Sequence, residues 1–139
     1  FQWDVVQGKQ NTDLRKSCLR TIAAFLNTEG GTLVIGVADD GNLFGLEKDL
    51  SLTSNSKDKF STLLSTMIFD KIGAEYSPYI KTRFETLNGI EVCVVDVTQS
   101  GAPVYFSGDK GAEFFIRTGP SSHLLDPEET VNYINNKWG

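Results

Sequence analysis

The sequence predicts an α+β fold: a mixed, mostly antiparallel sheet with about three helices packed on it. Two observations carry that expectation. Residues Ala23 to Gly45 read as a helix end, a double-glycine turn, a buried strand, an acidic tight turn and a second strand. Beyond them, apolar residues recur at helical spacing in some segments and alternate or run continuously in others, with turn residues between.

The first helix starts at a cap of Asn11 or Thr12, and Leu14, Cys18, Ile22, Phe25 and Leu26 form one apolar stripe. It closes at Asn27-Thr28-Glu29, where Gly30 can adopt the left-handed conformation that ends helices and Gly31 lets the backbone turn into a strand. Thr32 to Val37 is a short apolar strand, reversed by Asp39-Asp40-Gly41-Asn42 into Leu43 to Leu46. After a polar loop, Ser51 to Asn55, Ser56 caps a helix with Phe60, Leu63, Leu64, Met67, Ile68 and Ile72 on one face, stopped by Gly73.

Tyr79 to Glu85 alternates, with Ile80, Thr82 and Phe84 on one side and Lys81, Arg83 and Glu85 on the other. Asn88-Gly89 turns it back into Ile90 to Val97, whose near-continuous valines predict a central strand covered on both faces. An aromatic hairpin runs from Val104-Tyr105-Phe106 through residues 107–111 to Glu113–Arg117, followed by a loop rich in hydroxyls. Asp126-Pro127-Glu128-Glu129 is a strong helix start, and Val131, Ile134 and Trp138 are expected to face inward from that last helix.

At 139 residues and 40% hydrophobic content, the chain is sized for one domain with a real core. It lacks any run near the ~20 apolar residues that span a bilayer and shows no secretory signal, so a soluble, cytoplasmic protein without membrane contact is expected. Cys18 and Cys93 fall on apolar positions without metal spacing and are expected to be buried, reduced thiols. Beginning at Phe1 in structured sequence, the chain reads as a piece of a longer protein whose other domains would be partners.

The net charge of −5 excludes binding of nucleic acid through bulk positive charge. The distribution is uneven: residues 1–28 carry Lys9, Arg15, Lys16 and Arg20 against Asp4 and Asp13, a local +2 that leaves −7 on the rest. Arg15, Lys16 and Arg20 lie off the apolar stripe, as either a solvated face or a phosphate-contacting one. Arg117 with Ser121 and Ser122 can hold a phosphate through charge-assisted and hydroxyl hydrogen bonds, or stand as a strand-end arginine beside a polar turn. Asp39 and Asp40 have the oxygen chemistry for a hard cation, but one turn supplies too few ligands and the same residues suit a plain hairpin.

Gly30, Gly31 and Gly36 match neither the phosphate loop nor the dinucleotide fingerprint, and His123, the single histidine, has no nucleophile arranged around it. Tyr105, Phe106, Phe114 and Phe115 invite base stacking, yet neighbours on a strand point to opposite faces, so at least half are core.

The run Ala23 to Val37, then Asp39-Asp40-Gly41 with Gly45, and later Phe115-Ile116-Arg117-Thr118-Gly119 before Ser121-Ser122, resembles the Schlafen-type AlbA-like family of DNA-binding domains. The resemblance covers nearly the whole chain and implies an α+β nucleic-acid-binding module within a larger bacterial regulator-like or helicase-related protein. Its partner would be DNA or RNA, and its candidate contacts are Lys9, Arg15, Lys16, Arg20, Arg117, Ser121 and Ser122.

The Schlafen branch also includes RNA endonucleases that join two glutamates of a Glu-Phe-Lys segment to an aspartate after the Ile-Gly-Val strand. Asp39 is the matching aspartate here and Asp40 its neighbour, while the Glu-Phe-Lys segment would lie before Phe1 and Ala38 stands where many members have aspartate. For this chain no cofactor is expected, with magnesium or manganese entering only under the nuclease alternative. A third alternative is a protein-interaction or homodimerisation domain, from the acidic body and the aromatic hairpin.

Overall fold

The computed structural model describes residues 3–4, 9–10, 12–35, 57–87 and 90–139. In chain order these form β1 (Trp3–Asp4), β2 (Lys9–Gln10), α1 (Thr12–Asn27), β3 (Gly31–Ile35) and α2 (Lys57–Lys71). A 3-10 helix (Ala74–Tyr79) follows, then β4 (Ile80–Leu87), β5 (Ile90–Val97), β6 (Phe106–Gly108), β7 (Gly111–Thr118), β8 (Ser121–Leu125) and α3 (Pro127–Trp138). The expected turn at Asp39-Asp40, the strand Leu43 to Leu46 and the cap Ser56 lie outside the described residues.

The α+β class holds, but among the described residues the strands form two three-stranded antiparallel sheets, β3-β5-β4 and β6-β7-β8, beside a β1-β2 pair of two residues each. The reason lies in α1. Its residues Thr21 to Asn27 are all buried, around the whole circumference rather than along one stripe. A helix buried on all sides needs cover on more than one side, and α1 packs against β7 and β8 of one sheet, β3 and β5 of the other, and α2.

In the first sheet β5 is central, pairing Gly31 with Val97 and Ile35 with Cys93 on one side, and Ile80 with Val97 through Leu87 with Ile90 on the other. Val92 to Val95 are buried, as their continuous apolar character predicts. Burial pushes the Cys93 thiol up to about 11, whereas Cys18 is only partly buried; neither forms a disulfide. The polar face carries Thr32 Oγ1 donating to Asp96 Oδ1 (3.0 Å), Arg83 Nε donating to Asp96 Oδ2 (2.9 Å) and an Arg83–Glu85 ion pair. The hydrogen bond from Arg83 is the main reason that the Asp96 carboxyl lies below its ordinary range.

Three local expectations are corrected. Tyr79 closes the 3-10 helix instead of opening β4, since Gly73 at φ 133° ends α2 and two tight turns containing Pro78 intervene. Ser121 to Leu125 is a strand rather than a loop, zipped onto β7 from Thr118↔Ser121 to Phe114↔Leu125. Val131 points outward at 57% exposure, and α3 has no fully buried residue. That helix is held by Tyr133 and Trp138, which meet the Phe114 ring at 5.8 and 6.5 Å. The expected helix start at Asp126 is closed by a capping box: Glu129 N donates to Asp126 Oδ1 (2.7 Å) and Asp126 N to Glu129 Oε1 (3.0 Å). Among the described residues no helix is long and apolar enough to cross a membrane.

The C-terminus of α1 is closed by partners from across the chain. Phe25 O accepts from Thr28 N (3.2 Å) and Gly30 N (2.9 Å), Leu26 O from Ser100 N (2.8 Å), and Asn27 O from Tyr133 Oη (2.6 Å). The Asn27 carboxamide, fully buried, donates to Val104 O (2.8 Å) and Phe115 O (2.9 Å) and accepts from Val104 N (2.8 Å).

Replacing Asn27 by Ala strands three buried backbone groups, so stability should fall by about 3 kcal/mol or more, read as a lower urea midpoint at unchanged slope. A loss under about 1 kcal/mol would show that water substitutes for the carboxamide. Gly30 has φ 78°, and a Cβ there would collide with the Val97 carbonyl oxygen; Gly119 has φ 58° with open space around it. Gly30→Ala should therefore destabilise well beyond Gly119→Ala, which meets only the left-handed penalty of roughly 1 kcal/mol; equal losses would discount the collision.

Candidate nucleic-acid interface

The two sequence segments singled out at the start, the helix end at Asn27–Gly31 and the strand end at Phe115–Gly119, meet in space. Thr28 Oγ1 donates to Ala24 O (2.8 Å) and accepts from Arg117 N (2.9 Å), which pins the backbone of β7 to the last turn of α1. The Arg117 guanidinium then lies over the Phe25 ring, 5.2 Å from its centroid. Its Nη1 donates to Ser122 Oγ (2.9 Å) and, at 3.5 Å, to Thr21 Oγ1.

The two hydroxyls are 3.2 Å apart, and Thr21 Oγ1 also donates to Ser17 O (2.9 Å). One guanidinium and two hydroxyls from α1, β7 and β8 are thus gathered into one hydrogen-bonded set. Because Arg117 and Ser122 are register partners, their side chains share a sheet face. Ser121, the next residue along β8, points to the other side and is exposed, so it does not join them.

Lys16 and Arg20 lie further toward the N-terminus of α1, one turn apart. Neither is a freely solvated cation. Lys16 Nζ donates to Asp109 Oδ2 at 3.1 Å, at the turn between β6 and β7. Arg20 is half-buried, with its Cζ 5.8 Å from the centroids of both Phe106 and Phe115, and its Nε is buried without a hydrogen-bond partner. The Asp109 carboxyl lies below its ordinary range, first through the Lys16 hydrogen bond and then through the charges of Lys16, Lys71 and Arg20. For Lys9 and Arg15 only the backbone is described, in β2 and α1.

Of the four hairpin aromatics, Phe106, Phe114 and Phe115 are buried and Tyr105 is exposed. Phe115 faces α1 while Phe114 faces α3, so β7 is covered on both sides. Three of the four therefore serve packing. An apolar groove of about 520 Å³, lined by Tyr105, Phe114, Leu124, Leu125 and Val131 among others, does not include Arg117 or Ser122. His123 is exposed on β8.

Asp39 and Asp40 lie outside the described residues, and among those described no group of three or more His, Cys, Asp or Glu side chains converges to hold a metal ion. Sequence reasoning missed Thr21, Thr28 and Phe25 as the supports of Arg117. Their only trace was membership of the helix end that carried the resemblance.

The fold is shared with a solved structure, that of the DIP2311 protein from Corynebacterium diphtheriae. The two superpose with a TM-score of 0.57 at 19% identity, over 94% of this chain and 23% of that one, so the chain spans under a quarter of the length of its structural relative. At that identity the likeness speaks for the fold alone. The family described as Schlafen, AlbA_2 matches residues 3–126, from the start of β1 to the N-cap of α3. With helix end, double glycine and Arg117 strand joined in one structural unit inside that match, the chain belongs to the Schlafen AlbA_2 family, whose domains are broadly associated with nucleic acids.

Proposed function

We propose that this chain is a nucleic-acid-binding module that grips the sugar–phosphate backbone of DNA or RNA at the Arg117–Ser122–Thr21 set. The observation that carries this reading is the preorganised geometry. A guanidinium stacked on Phe25 and hydrogen-bonded to two hydroxyls presents its remaining N–H donors beside the Ser122 hydroxyl, the chemistry that holds a phosphate oxygen, while Thr21 orients the set. Family membership supports the same class of partner.

Lys16 extends the surface along α1, and Lys9, Arg15, Arg20 and Ser121 are further contacts of the reading. In a longer parent protein the module would position its neighbours on nucleic acid. The acidic charge of the whole chain means that attraction is local to this face, so affinity should depend steeply on salt.

Fluorescence anisotropy with labelled single-stranded DNA, duplex DNA and structured RNA, at low and moderate salt, tests the reading. Saturable, salt-sensitive binding to one of them is expected. Arg117→Gln should weaken it about tenfold, uniformly across sequences, and flatten the salt dependence by about one phosphate contact. Arg117→Lys should not restore it, because an ammonium lacks the planar fork that spans Ser122 and a phosphate together. Unchanged binding by a folded Arg117→Gln protein would reject this surface.

A further inference from the structure

We propose that Lys16, Arg20 and Lys71 form a second phosphate seat, and that Asp109 is its resident counter-ion, displaced when a phosphodiester enters. The inference rests on the nucleic-acid reading above and names how that interface is regulated. The seat lies where the β6–β7 hairpin meets two helices: β7 packs on α1, which carries Lys16 and Arg20, and β6 packs on α2, whose last residue is Lys71. Asp109 sits at the hairpin tip, and its carboxylate hydrogen-bonds the Lys16 ammonium at 3.1 Å.

The charges of Lys71 and Arg20 reach the same carboxylate, so three cations from two helices act on one acidic group. The exposures differ in a telling way. The Asp109 side chain is 74% exposed and that of Lys16 only 33%, so the anion lies at the surface with the cation beneath it.

An ion pair so open to water contributes little, about 0–1 kcal/mol. Exchanging its carboxylate for a phosphodiester therefore meets a small barrier in free energy. The incoming group brings its own charge and acceptor oxygens to Lys16 and Lys71, beside the charge of the half-buried Arg20. Among the described residues, the ion pair of Lys71 is a loose one with its sequence neighbour, Asp70 Oδ2 at 3.9 Å. The hairpin's other carboxylate, Glu113, folds over Gly108. Asp109 thus acts as an internal competitor, keeping the seat neutralised until a polyanion outcompetes it and making engagement sensitive to ionic strength.

The test compares wild type, Asp109→Asn, Asp109→Asn with Lys71→Gln, and the control Glu128→Gln, which removes one negative charge at the far helix α3. Each is titrated against the labelled oligonucleotide that binds best, and a urea midpoint confirms folding. Asp109→Asn should tighten binding about three- to tenfold at low salt, Lys71→Gln should cancel that gain, and Glu128→Gln should leave affinity unchanged. Equal affinity for Asp109→Asn and Glu128→Gln, with Arg117→Gln still weakening binding, would overturn the seat and leave the nucleic-acid reading intact.

If neither wild type nor Asp109→Asn binds any oligonucleotide, the nucleic-acid reading fails. The seat is then decided by inorganic pyrophosphate added to Asp109→Asn and followed through the NMR signals of the lysine ε-methylenes. Saturable shifts at Lys16 and Lys71 would uphold an anion seat, and their absence would overturn it.

Discussion

The structure depends on how the C-terminus of α1 is closed. A helix end leaves carbonyl groups without partners, and burying such an end is unfavourable unless each is met. Here α1 ends in the middle of the molecule. Ser100, Tyr133 and the local Thr28 and Gly30 amides supply the donors, while the Asn27 carboxamide joins Val104 to Phe115. Val104, Phe115 and Tyr133 lie 77 to 106 residues from Asn27 in sequence. One buried side chain therefore joins the central helix, the entry to β6 and the middle of β7, and its carbonyl anchors α3, which has little burial of its own. The Asn27–Gly31 run is constrained because four of its five residues answer a neighbour: Asn27 the Val104 and Phe115 backbone, Thr28 the Arg117 amide, Gly30 the Val97 carbonyl and Gly31 the Phe25 ring.

The same closure places the candidate interface. Once Thr28 holds the Arg117 amide, the arginine side chain has the Phe25 ring below it and the Thr21 and Ser122 hydroxyls beside it. The guanidinium is thereby oriented before any ligand arrives, which lowers the entropy lost on binding. α1 is covered on all sides from Thr21 onward and its cations fall in the earlier turns, where Lys16 and Arg20 are drawn into the packing. Arg20 lies against two phenylalanine rings, and Lys16 answers Asp109. A basic face written on a helical wheel becomes a row of partly engaged cations along the seam between α1 and the second sheet. Partly covered charges are less screened than solvated ones, so the field of these cations stays local on an otherwise acidic protein.

Much of this was legible without coordinates. The helix stop at Gly30, the strand expected from Thr32 onward and described as Gly31–Ile35, the central valine-rich strand, the aromatic hairpin and the helix start at Asp126–Glu129 all rest on local rules: allowed dihedrals, apolar periodicity and short-range hydrogen bonds. So does the α+β class that follows from their order. Arg117 and Ser122 stood out because a cation and hydroxyls occur together at a strand end. Local rules misjudged Ser121 to Leu125, where hydroxyl-rich sequence suits a loop but the ladder to β7 makes it a strand. They misjudged Val131 too, because helical spacing defines a face without saying that anything covers it.

What the sequence alone determined is which segments become helix, strand or turn, and which family the chain resembles, since those depend on residues within a few positions of one another. Tertiary structure decided that the described strands split into two three-stranded sheets around a helix buried on all sides from Thr21 to Asn27, and that Arg117 rests on Phe25 with Thr21 and Ser122. It also decided that Lys16 pairs with Asp109, 93 residues away. Those outcomes join groups distant along the chain. They follow from the requirement that every buried polar group and apolar face find a partner somewhere in the fold, and no local pattern records where that partner lies.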